Sequence, residues 1–190
     1  SSSAIIRETF SESSSPFLFK LFIHSKSIVD RAAEMATILS DLFTAPQLDN
    51  RKQIKTILME MKNDLYSSII GSGHSFAVNY LCSRLTRSGY CSEITDGITQ
   101  FRFLERLIRT GDIDSVIDAM KQLHTILIQN NNTILSITAE NPSLHNGMFT
   151  DMLGRLPPLS ITERPLDTLT LPEGNFTGIE INTSVNYVAQ

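Results

Sequence analysis

Leu48-Asp49-Asn50-Arg51-Lys52-Gln53-Ile54-Lys55-Thr56-Ile57-Leu58-Met59-Glu60-Met61-Lys62-Asn63-Asp64-Leu65 carries the clearest period in the chain. Ile54, Ile57, Leu58, Met61, Leu65 and then Ile69 recur at three and four, and Lys52, Lys55, Glu60, Lys62 and Asp64 fill the other side. This spacing predicts an amphipathic α-helix, capped by Asp49 or Asn50. Gly71-Ser72-Gly73 interrupts the period, and Phe76, Tyr80, Leu81 and Leu85 resume it. A second helical stretch is expected there, continuous with the first or bent at the glycines, and ended by Gly89.

Upstream, the first fifteen residues are rich in serine and end at Pro16, which reads as a poorly ordered lead-in or an edge strand. Phe17-Leu18-Phe19-Lys20-Leu21-Phe22-Ile23 is aromatic and apolar and reads as a buried strand. Ser25 or Ser27, with Asp30 placed as in a capping box, then starts a helix over 28–43, with Ala32, Met35, Leu39 and Leu42 inward. Downstream, Ser92 starts a helix containing Ile98, Phe101, Leu104, Leu107 and Ile108, weakened by about 1 kcal/mol at Gly97 and closed by Gly111. Asp112 or Asp114 caps the next, with Ile117, Met120, Leu123, Leu127 and Ile128 inward. Asn130-Asn131-Asn132 is a turn, Thr133–Ala139 alternates like a strand, and a short helix is expected over 144–153. Four prolines in 157–175 mark an extended linker, and 176–190 alternates Ile179, Ile181, Thr183, Val185 and Tyr187 as a final strand.

The fold class expected from this order is α+β, with helices on one face of a mostly antiparallel sheet. Phe17–Ile23 and Thr133–Ala139 are expected to be neighbours in it, covered by the helices over 28–43 and 51–70. Two good strands fall short of the usual four to six or so, so the sheet is expected to be incomplete and the chain a piece of something larger. The divisions are 1–15, a lead-in or edge strand; 16–156, the α+β domain; 157–175, the linker; and 176–190, the first strand of a following domain.

The chain has 190 residues, 41% hydrophobic and 19% charged, with a net charge of −4. That composition predicts a soluble, slightly acidic globular protein and argues against a nucleic-acid partner. No apolar run reaches the roughly 18 residues of a membrane span, and no signal-peptide pattern opens the sequence. Cys82 and Cys91 form no CxxC and are expected to be reduced thiols. The triplets at Asn131, Asn175 and Asn182 are chance matches to the glycosylation pattern.

His24, His74, His124 and His145 belong to neither HExxH nor HxxEH. No metal site is expected, because isolated histidines and two separated cysteines supply no ligand cluster. His74, in Ser72-Gly73-His74-Ser75-Phe76, has the best context, but the run is neither GxGxxG nor G-x-S-x-G and follows a helix. A packing residue at a helix bend is the better reading. Nothing in the spacing singles out a Ser, His, Asp triad, so no catalytic residue is named and a substrate-binding set stays unknown.

One region goes further. Leu48 to Leu65, continuing Ser67-Ser68-Ile69-Ile70-Gly71-Ser72-Gly73-His74-Ser75-Phe76-Ala77, resembles a helix in the C-terminal half of the presequence-protease branch of the pitrilysin/insulinase metallopeptidases. Ser92-Glu93 with Gly97-Ile98 and Phe103-Leu104 resembles that branch's second run, and Phe17–Ile23, Leu42-Phe43-Thr44-Ala45-Pro46 and Val185-Asn186-Tyr187-Val188 look like it too. Around Asn79-Tyr80-Leu81-Cys82 the chain is bulkier than the branch's small, alanine-rich stretch.

The resemblance implies an enzyme of four related α+β domains (LuxS/MPP-like), in two halves that enclose a chamber where peptides are cut. Its zinc lies in the first domain, in the N-terminal half, on an inverted motif this chain lacks. The chain would then be a non-catalytic segment of the C-terminal half, most of the third domain, inactive alone. It would hold no cofactor, form chamber wall and support closure. Its partners would be the N-terminal catalytic half and the peptide substrates, with no nucleic acid and no membrane. Self-association through 176–190 would be an artefact of truncation. The compartment would be cytoplasmic in a bacterium and an organelle matrix in a eukaryote. The alternatives are a stand-alone helical interaction domain and a self-sufficient Ser/His/Asp hydrolase.

Overall fold

The computed structural model describes residues 2–8, 17–130, 133–158, 170–173, 177–180 and 186–189. Helices dominate. Two strands, β1 (Ser2–Glu8) and β2 (Phe17–Ile23), are followed by α1 (Ala32–Thr44), α2 (Arg51–Gly71), α3 (Gly73–Cys82), α4 (Arg87–Asp96), α5 (Ile98–Thr110), α6 (Ile113–Leu127) and α7 (Ser143–Gly154). The expected α+β class is therefore corrected: the fold is helical, and among the described residues no helices are layered on one face of an antiparallel sheet. Among the described residues, β1 and β2 pair with each other in a two-stranded sheet. Leu21, Phe22 and Ile23 of β2 are exposed, so the buried strand read from their apolar character is not realised.

The described residues divide into two compact units. The first takes in 2–3, 21–50, 114–130 and 133–158, and the second 4–8, 17–20, 51–113, 170–173, 177–180 and 186–189.

In the first unit a 3-10 turn at Val29–Arg31 leads into α1, without the serine cap expected from Ser25 or Ser27. Ala32, Ala36 and Ser40 are buried along one line of α1. Small residues there let α1 approach α7, and Ala36, Phe149 and Met152 form the packed centre. Leu42, expected inward, is exposed, and Phe43 packs inward in its place.

Thr133–Ala139 is not a strand and is not β2's neighbour. Its alternation is nevertheless real, because Leu135 and Ile137 pack on the α1–α7 cluster while Ile134 is 79% exposed. Extended backbone satisfies that side-chain pattern without a ladder partner. On α6 only Ile117 is buried, and Leu123 and Leu127, expected inward, are exposed.

The second unit is built on α2 and α5, which pack together, with α4 against α5 and α3 against α4. Ile54, Leu58 and Ile69 of α2 are buried, as are Ile98, Leu104 and Leu107 of α5, whereas Ile57 and Met61 of the α2 period are exposed. The helix does bend at the glycines: α2 ends at Gly71 and α3 begins at Gly73. Gly89 does not end a helix. The chain turns at residues 83–85, and Thr86 Oγ1 caps α4 by accepting from Gly89 N at 3.0 Å. Gly111, in the left-handed region at φ 68°, closes α5.

Of the proline-rich stretch, 159–169 and 174–175 lie outside the described residues. So do 176, 181–185 and 190 of the expected final strand, and 177–180 and 186–189 adopt no regular secondary structure.

Candidate functional site

The polar groups of the second unit gather where α3, α4 and α5 meet. α4 and α5 are separated by Gly97 alone, which is the N-cap position of α5 and carries no side chain to satisfy the helix's first amide groups. Glu93, one turn back on α4, supplies that function. Its Oε1 accepts from Thr99 N at 2.8 Å, and its Oε2 accepts from Asn79 Nδ2 of α3 at 3.0 Å. The carboxylate lies directly over Gly97, where a Cβ would collide with it. Glu93 is only 2% exposed, and burial pushes its carboxyl above the ordinary range, against the pull of the Thr99 and Asn79 donors. One side chain thus ties three helices together. The negative charge also sits at the positive end of the α5 dipole.

At the far end of α3, Arg84 lies over the Tyr80 ring, 4.4 Å from its centroid. It donates through its two terminal nitrogens to the Tyr80 carbonyl and hydroxyl, at 3.3 Å each, and to Thr177 Oγ1 at 3.1 Å. The hydrogen bond from Arg84 holds the Tyr80 hydroxyl below its usual pKa. The bulky Asn79 and Tyr80 therefore do work that small residues could not: the first holds Glu93 and the second holds Arg84.

The opposite end of α3 receives Tyr187. Its ring packs on Gly73, where no Cβ would fit, and lies against His74 with centroids 6.2 Å apart. Its hydroxyl donates to the Ile70 carbonyl at 3.2 Å. The bend of Gly71-Ser72-Gly73 is thus a docking notch for an aromatic side chain. His74 is exposed in the first turn of α3, with its ring tilted against that of Tyr187. Tyr187→Ala removes a half-buried ring and one hydrogen bond, so a loss of about 1–2 kcal/mol is expected. Hydrogen exchange should then show lost protection at 186–189 and at Ile70–His74. Unchanged exchange at both would show that Tyr187 does not dock.

The remaining candidates are dispersed. His24 stacks on Phe22, His124 Nε2 lies 2.9 Å from the Phe43 carbonyl oxygen, and His145 is in the first turn of α7. Cys82 and Cys91 are not joined in a disulfide. Among the described residues no three His, Cys, Asp or Glu side chains converge as a metal site would require. No described helix is long and apolar enough to cross a membrane.

Sequence reasoning quoted Glu93 without giving it a role. The available signal was Gly97, four residues on, at the start of a strongly amphipathic helix with no other cap.

Together these features define a helical packing and docking unit whose key residues join helices. The family described as "Peptidase M-16C associated" matches residues 1–107, and the chain belongs to that family. It is similar to "Presequence protease 1, chloroplastic/mitochondrial" of Arabidopsis thaliana, 25% identical over 182 residues, covering 90% of this chain and 16% of that protein. It is similar to "Presequence protease, mitochondrial" of Danio rerio, 25% identical over 118 residues, covering 62% of this chain and 12% of that protein. The protein of the same name in Saccharomyces cerevisiae is 27% identical over 97 residues, covering 48% of this chain and 10% of that protein. The chain therefore spans a small fraction of the length of these relatives. Both glycine-centred runs behind the family resemblance, at Gly73 and Gly97, are places where a second side chain needs the space of a Cβ.

Proposed function

We propose that this chain is a non-catalytic part of a zinc metalloendopeptidase that degrades peptides in a closed chamber, and that it forms chamber wall and supports closure. The observation that carries this reading is the family match over residues 1–107 together with the similarity to presequence proteases. The helical unit contributes rigidity. Glu93 locks α3, α4 and α5 to one another, so a load on one helix is borne by all three. The partner would be the catalytic half of the larger peptidase, which would hold the zinc, and the peptide substrates would be those of the whole enzyme. The described end of 176–190 engages its own helices through Tyr187, which favours docking within the chain over self-association.

The test compares the 190-residue chain with the whole peptidase. The isolated chain is expected to show no chelator-sensitive peptide hydrolysis and no stoichiometric zinc. In the whole enzyme, Gly97→Ala is expected to lower peptide turnover while zinc content stays constant, because the joint and not the metal is disturbed. Chelator-sensitive hydrolysis by the isolated chain would sink the proposal.

A further inference from the structure

Arg102, Arg106 and Arg109 follow one another on α5 at four- and three-residue spacing, on the side opposite the buried Leu104 and Leu107. They span about 10 Å along the helix axis. Lys62 of α2 joins them, and with Glu105 and Ile108 these residues line an open groove of about 520 Å³. The three arginines are exposed, and among the described residues none of the four cations is in a salt bridge. The guanidinium of Arg106 lies over the Phe103 ring, 5.9 Å from its centroid, which steadies it without neutralising it. Among the described residues that line the groove, one carboxylate faces four cations, on a chain whose net charge is −4.

We infer that this groove docks an acidic segment of polypeptide, with its Asp or Glu side chains on Arg102, Arg106 and Arg109 and its backbone along Ile108. Charge complementarity fixes the sign of the occupant. Guanidinium forks suit carboxylates in bidentate geometry. The spacing suits a peptide too: an extended chain presents side chains to one face about every 6.6 Å, close to the roughly 6 Å rise from Arg102 to Arg106. The short reach of the patch favours a peptide over a nucleic acid. At about 10 Å the patch is little longer than one Debye length, about 8 Å at physiological salt, so it engages a short acidic segment and only a few phosphates of a long polyanion.

The experiment is fluorescence anisotropy of a dye-labelled peptide of alternating Glu and Ala, titrated with the full 190-residue chain. Saturable binding is expected at low salt, weakening as sodium chloride is raised, with no binding of the same peptide carrying Gln for Glu. The double variant Arg102→Glu, Arg106→Glu should weaken binding roughly tenfold with an unchanged melting temperature, since both side chains are exposed. If that variant melts early, Arg109→Gln and Lys62→Gln replace it, each expected to weaken binding a few-fold. Absence of binding at low salt, or equal binding by the variants, overturns the inference. So does a single-stranded oligonucleotide of equal charge that binds more tightly than the peptide.

Discussion

Glu93→Ala is expected to destabilise the chain by about 3 kcal/mol, a fall in melting temperature of about 10 °C. The figure has two sources. Removing the side chain uncaps α5, which costs on the order of 1 kcal/mol. It also leaves the half-buried Asn79 amide without its acceptor, at about 1–3 kcal/mol. Glu93→Gln keeps an acceptor for Thr99, and Asn79 can present its own oxygen to the new amide, so a far smaller change is expected. Gly97→Ala should resemble Glu93→Ala, because the new methyl group displaces the carboxylate. The two should also be strongly non-additive, since each removes the same interaction. Additive losses in thermal or urea unfolding would refute the shared mechanism.

The same carboxyl sets a pH dependence. Its folded pKa is raised above the ordinary value of 4.5 by burial, so the folded state holds the proton more tightly than the unfolded chain. The resulting stability is fully present below that ordinary value and is lost as pH rises through the raised folded value. Relative to Glu93→Gln, the wild-type chain should lose stability as pH climbs from 4.5 through that window and stay level above it.

Leu104→Ala should cost about 3 kcal/mol, within the range for a large-to-small change in a packed core. Leu104 is 2% exposed, on the helix that packs against both α2 and α4. Leu123→Ala on α6 removes the same atoms from a side chain that is 54% exposed, and a change within about 0.5 kcal/mol is expected. Equal losses at the two sites in chemical denaturation would contradict the burial assigned to either helix.

Local order was legible in the sequence, and long-range order was not. The helix over 51–70 and the stop at Gly111 depend on neighbouring residues and were read correctly, though Ile57 and Met61 of the apolar period are exposed. Thr133–Ala139 shows the limit. Its alternation does place Leu135 and Ile137 inward, but a ladder needs a distant partner that no local pattern reveals. Extrapolating from alternating segments to a sheet therefore gave the wrong class. Tyr187 misled in the same way: an apolar alternation suggested a strand, and the ring instead found the gap left by a glycine more than a hundred positions earlier.

The site was hidden for related reasons. Glu93 sits in α4, which has almost no amphipathic period, so no pattern marked it as buried. The arginines of α5 are spaced through the sequence and form no basic run. Only the helical turn and the approach of Lys62 from α2 gather them.

The bond from Tyr187 to the Ile70 carbonyl closes a span of 117 positions. The pairings of α2 with α3, of α3 with α4 and of α4 with α5 join neighbours along the chain. Loop-closure entropy makes such local pairings fast and the distant one slow. The aromatic anchor is therefore expected to form after the helices have condensed, so Tyr187→Ala should speed unfolding and leave the folding rate unchanged. An interaction of that kind leaves the folding rate alone and acts as a brake on unfolding. The notch at Gly73 thus contributes persistence to the native helices: its stabilising energy appears as a longer lifetime of the folded unit.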